Sequence, residues 1–128
     1  MILLDTHAFI WWAAESDNLS RPARRAAGKA EALGVSIMTC WETAMLAAKR
    51  RITFNMDVEA WLRQAVQRPR VRLVPLNVRI VAQAAGLPDD LLTDPVDRIL
   101  VATCREHGVE LITRDERIGK SFLVKTVW

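Results

Sequence analysis

The chain has 128 residues, 51% hydrophobic and 26% charged, with a formal net charge of +3. That length fits one domain, residues 1–128, and no low-complexity block, internal repeat or Gly/Ser-rich linker divides it. No apolar stretch is long enough to span a bilayer, and Asp5 interrupts the N-terminal apolar run at once, which excludes a signal peptide and leaves the cytoplasm as the expected location.

Met1 to Leu4 is a continuous apolar run, the pattern of a strand buried on both faces. Thr6 to Ala14 reads as a helix. Ser20 to Leu33 reads as a second, with Ser20 as N-cap, Pro22 in the first turn and Gly34 as the stop. Val35 to Met38 is the next strand, followed by a helix over Thr39 to Arg50. Asp57 caps a helix to Gln67, and Val71 to Val74 reads as a strand. Asn77 to Ala85 is helical and closes at Gly86. Pro95 to His107 is a helix that stops at Gly108. Val109 to Thr113 is a strand, and Leu123 to Val127 is a last, edge strand. This alternation predicts an α/β fold with a mostly parallel sheet covered by helices. Ligands in such folds bind beyond the carboxyl ends of the strands.

Five carboxylates merit attention for their positions. Asp5 directly follows the first strand, where capping the next helix is the simplest role. Glu42 completes a T-x-x-E capping box from Thr39, yet shares a helix face with Met45 and Leu46, so it points partly inward. Asp94 precedes Pro95 and reads as an N-cap. Asp97 shares a face with Leu100, Val101 and Cys104, while Arg98 and Arg105 fall on the expected wet face. A carboxylate at the head of a buried stripe needs a cation or a set of donors. Helix-dipole attraction contributes only about 0.3–1 kcal/mol there. Asp115 follows the fourth internal strand, where a turn or cap is the plain reading. A parallel sheet gathers such positions at one edge. Several carboxylates there repel one another unless a hard divalent cation lies between them, and oxygen-only ligation suits Mg²⁺ or Mn²⁺. His7 and His107 have no ligand spacing, and Cys40 and Cys104 read as buried thiols in a reducing compartment.

The segments Leu3-Leu4-Asp5-Thr6-His7, Thr39-Cys40-Trp41-Glu42, Asp94-Pro95-Val96-Asp97-Arg98 and Thr113-Arg114-Asp115 together resemble the PIN-domain ribonucleases, in particular the VapC-type toxins of toxin–antitoxin pairs. They occur in the family's order and span the chain. The resemblance implies a three-layer α/β/α domain and Mg²⁺- or Mn²⁺-dependent hydrolysis of RNA by a metal-activated water. It places the catalytic and metal-binding positions on Asp5, Glu42, Asp97 and Asp115, with Asp94 an extra acid of open status. It also implies a homodimer and a small antitoxin partner. Thr39 stands where serine is frequent in the family.

Around these acids, Thr6 and Thr113 offer hydroxyls to a ligand or a phosphate oxygen. Arg98 and Arg114 flank the acids and could meet RNA phosphates, Arg98 equally well pairing with a nearby acid. Five tryptophans without a tyrosine invite base stacking, Trp11 and Trp12 lying closest to Asp5; core filling is the simpler role for most of them. The arginine and lysine clusters at 21–29, 49–51 and 68–72 read as solvated faces. A non-catalytic PIN-like module that binds RNA or protein is the alternative function. A receiver or phosphatase fold lacks its acidic pair and its lysine here, and a flap-type nuclease requires a longer chain.

Overall fold

The computed structural model describes residues 1–90 and 92–128. Five strands form one all-parallel sheet: β1 (Ile2–Leu4), β2 (Leu33–Ser36), β3 (Val71–Val74), β4 (Leu111–Ile112) and β5 (Thr126–Val127), in the order β3-β2-β1-β4-β5. The chain runs from β1 outward through β2 to β3, then returns to the other side of β1 for β4 and β5. The strand order therefore switches between β1 and β4, the place where an open parallel sheet leaves a crevice at its carboxyl edge. Leu4 is in register with Val35 on one side and Ile112 on the other.

Side-chain alternation along β1 builds two cores. Ile2 and Leu4 join Phe9 of α1 (Thr6–Ala13), Ala23 and Ala27 of α2 (Arg21–Lys29) and Ala65 of α4 (Val58–Val66). Leu3 points the other way, to Val96, Leu100, Val101 and Cys104 of α6 (Pro95–His107) and Ile118 of α7 (Glu116–Lys120). α5 (Val78–Ala85) packs on α6 through Ile80, Ala84 and Ala102. α3 (Ile37–Ala48) touches both α1 and α6. The three-layer α/β/α architecture expected from the sequence is present.

The expected boundaries fail in informative places. The second helix stops at Lys29, and β2 begins at Leu33 rather than Val35. Gly34 is no helix stop. It sits inside β2, where a Cβ would lie 2.9 Å from Leu3 Cδ1, so glycine permits the close approach of β1 and β2. α3 starts at Ile37, capped by Ser36, whose hydroxyl accepts from Met38 N at 3.1 Å. The capping box expected from Thr39 to Glu42 does not form; Thr39 is buried one turn into the helix. The last strand is shorter than expected, and Asp115, read as a turn or cap, caps the short helix α7. Cys104 is buried, whereas Cys40 is only half-buried.

Several arginines expected on solvated faces instead hold backbone. Arg68 donates to Ala13 O at 2.7 Å and lies over Trp12, and Arg70 donates to Ala27 O and Ala30 O. No helix among the described residues is long and apolar enough to cross a membrane.

Candidate active site

A cavity of about 450 Å³ opens beyond the carboxyl ends of β1 and β4, at the topological switch point. Asp5, Thr6, Glu42, Asp94, Asp97 and Asp115 line it, and His7, Trp11, Leu100, Arg114 and Arg117 complete its wall. Every acid singled out from the sequence thus reaches one space, from four different elements.

Local backbone chemistry aims each of them. Asp5 ends β1 and caps α1: its N–H donates to Ile112 O at 3.0 Å, and its Oδ1 accepts from Ala8 N at 2.8 Å. Its other oxygen, Oδ2, accepts a hydrogen bond from Thr113 Oγ1. The same hydroxyl accepts from Asp115 N at 3.0 Å. Thr113 therefore ties the acid at the end of β1 to the acid that caps α7. Asp115 Oδ1 accepts from Arg117 N at 2.8 Å, and its Oδ2 lies 3.4 Å from the Arg117 guanidinium. Asp94 caps α6, accepting from Val96 N at 2.8 Å and Asp97 N at 3.2 Å. Asp97 stands in the first turn of α6, above Leu100, Val101 and Cys104, all three buried. Glu42 comes from α3, half-buried, and faces the acids rather than the start of its own helix.

The electrostatics follow from this crowding. Burial pushes the Asp97 carboxyl up to about 7, and Asp94, Asp115, Glu42 and Asp5 push in the same direction. Asp5 is also raised, chiefly by burial, against the opposing hydrogen bonds from Thr113 and Ala8. The cavity is thus a place where negative charge is costly without a cation.

The donor set fits a hard divalent cation. All candidate ligands are oxygens, as Mg²⁺ and Mn²⁺ prefer. Thr6 is 2% exposed, lines the cavity, and its Oγ1 has no hydrogen-bond partner among the described residues. A buried orphan hydroxyl beside five like-charged carboxylates is the polar arrangement a bound cation with its waters would satisfy. As they stand the acids are splayed: among the described residues, no three His, Cys, Asp or Glu side chains are drawn close enough to hold an ion.

Of the residues expected around the acids, Arg114 lines the cavity, exposed, with its guanidinium over the Trp11 ring. Thr113 is buried and its hydroxyl is committed to Asp5, so it orients a carboxylate rather than meeting a phosphate. Arg98 takes the second of its two expected roles, pairing with a nearby acid, but not the expected wet-face position. It is buried, not on the wet face, and donates to the carbonyls of Ala84, Ala85, Leu87, Pro88 and Leu92, with Asp89 at 3.2 Å. Carbonyls at the end of α5 and in the segment that follows it hold the guanidinium inward, and it does not line the acid cavity. His7 and Arg117 are cavity residues that the sequence reading passed over. Arg117 belongs to the five-residue helix α7, too short to produce a periodic signal.

Comparison with known proteins places these features in context. The family model described as PIN domain matches residues 2–121. Ribonuclease VapC22 of Mycobacterium tuberculosis is 38% identical over 117 residues, covering 91% of this chain and 88% of that protein. Among solved structures, the M. tuberculosis VapC20, described as a sarcin–ricin-loop-cleaving toxin, superposes with a TM-score of 0.70 at 19% identity, covering all of both chains. A toxin–antitoxin complex from Klebsiella pneumoniae gives a TM-score of 0.66 at 22% identity, over 93% of this chain and 90% of that one.

Proposed function

Since this chain belongs to the PIN-domain family, we propose that it is a metal-dependent endoribonuclease and the toxin of a toxin–antitoxin pair, residues 1–128 forming one nuclease domain. The observation that carries this reading is the convergence of Asp5, Glu42, Asp97 and Asp115 on one cavity at the sheet's switch point, beside the orphan hydroxyl of Thr6. A small antitoxin protein is the expected partner, as in the Klebsiella complex, with a homodimer as the expected assembly.

Asp5, Glu42, Asp97 and Asp115 would hold Mg²⁺ or Mn²⁺. Bound there, such an ion supplies an activated water and charge stabilisation for the phosphate under attack. The protein's own part is positional. Thr113 fixes Asp5 through one oxygen and the amide of Asp115 through its hydroxyl, which presets two ligands from adjacent strands. Asp94 keeps α6 capped and adds negative charge beside Asp97. Arg114 and Arg117 stand on the rim, where RNA phosphates arrive. Leu100 and the packed stripe beneath Asp97 keep the floor of the site dry.

The test is cleavage of RNA by the purified chain with Mg²⁺, with Mn²⁺ and with EDTA, alongside D5N and D97N. The reading expects cleavage with metal, none in EDTA and a loss of at least about 100-fold in either variant. RNA binding without cleavage under any metal condition would favour the alternative, a PIN-like binding module.

A further inference from the structure

Trp11 is the one aromatic side chain from the Trp11–Trp12 pair that reaches the acid cavity. Its surroundings are unusual for a core tryptophan. It is half-buried and packs against the β1 core. The His7 ring lies 5.5 Å away, tilted by 50°, and the Trp128 ring 5.8 Å away, tilted by 51°. The Arg114 guanidinium carbon sits 5.3 Å from the ring centroid. Trp12, next in sequence, is instead covered by Arg68, itself anchored to Ala13 O.

We infer that Trp11 is a stacking platform for an unpaired nucleobase next to the scissile phosphate, with Arg114 as the cover that moves from the ring to the RNA backbone. The inference rests on the ribonuclease reading of the same cavity and names the form of RNA it takes. The tilted Trp128 and His7 rings pack against it, so its orientation costs little on binding. A guanidinium over a half-buried indole at the cavity wall is a modest cation–π contact, which a base can replace. At 5.3 Å there is no room for a base between them, so the two exchange rather than sandwich it. Released, Arg114 stays beside the acids, where a phosphate flanking the cleaved bond needs a counter-charge. A base held in a duplex cannot reach such a ring, so the platform selects single-stranded loops and ends over paired stems.

Base–aromatic stacking contributes enough per base that its removal weakens binding about 5- to 150-fold. The experiment measures binding of a fluorescein-labelled, unstructured RNA oligonucleotide by anisotropy in EDTA, where no cutting occurs, and cleavage of the same RNA with Mn²⁺. Wild type, W11F and W11L are compared on the intact RNA and on versions carrying one abasic nucleotide at each position around the cut. The inference expects one abasic position to weaken wild-type binding and raise KM at least 5-fold, with kcat within about 3-fold. W11L should lose a similar amount on intact RNA and show no further loss at that abasic position, while W11F retains most of the affinity. Equal binding of the wild type to every abasic RNA overturns the platform, and needs no variant to fold. An abasic penalty that persists unchanged in W11L also overturns it. If the wild type cuts the intact RNA in either case, the ribonuclease reading stands without the platform; if it neither binds nor cuts RNA, both fall.

Discussion

The most exposed consequence of this site is that it destabilises the protein that carries it. Folding raises the Asp97 carboxyl from 3.8 to about 7. Between those values the folded state binds more protons than the unfolded chain, so stability falls as pH rises, and the full penalty is present above pH 7. A shift of this size corresponds to about 4 kcal/mol if undiluted. Asp97 keeps part of its surface in water, which screens the interaction and brings the penalty to about 1–2 kcal/mol. Replacing it by asparagine removes the charge while keeping the shape. D97N should therefore melt roughly 3–8 °C above the wild type at pH 8 in EDTA. At pH 5, where wild-type Asp97 is mostly protonated, the difference should shrink to about 1 °C. Thermal unfolding followed by circular dichroism at both pH values makes the comparison. A D97N variant no more stable than wild type at pH 8, or equally stabilised at both, refutes the reasoning.

Other consequences follow from the same contacts. Mn²⁺ added at pH 8 should raise the wild-type Tm and leave that of D97N nearly unchanged, because only the wild type gains by binding the ion in its folded form. Mn²⁺ affinity, measured by calorimetry, should fall as pH drops below about 7, since a proton then competes at Asp97. T113V removes the hydroxyl that holds Asp5 and should weaken metal binding about 10- to 100-fold with the fold retained; unchanged affinity would show that Asp5 needs no such support. R98A strips the donor from five carbonyls and should cost about 2–4 kcal/mol in urea unfolding, with R98K recovering less than half because an ammonium cannot reach them all.

How far the site was legible in the sequence depends on what each residue contacts. Asp97 stood out because its helical neighbours are apolar, a strictly local fact, and the structure buries all three of them. Asp5 could be placed because β1 is a short apolar run with an acid at its end. Glu42 was harder. Its sequence context suggested a cap, but the cap of α3 fell three residues earlier, on Ser36. Gly34, read as a helix stop, lies instead inside β2, and its reason for being glycine is the Leu3 side chain on another strand, invisible to any local pattern. Arg98 was misplaced for the same kind of reason. Helical spacing put it on the wet face, but α5 covers that face and ends in carbonyls there. Thr113 was recognised as a hydroxyl near the acids, but its role as the link between Asp5 and Asp115 required the pairing of β1 with β4.

The most direct test of the account is the chemistry of the ends that this chain leaves on RNA. Freed of any co-purified partner and given Mn²⁺, it should produce fragments with 5′-phosphate and 3′-hydroxyl termini by mass spectrometry, and D97N should produce none. Fragments ending in 2′,3′-cyclic phosphate, or cleavage that continues at the wild-type rate in EDTA or in D97N, would contradict hydrolysis by an ion held among Asp5, Glu42, Asp97 and Asp115.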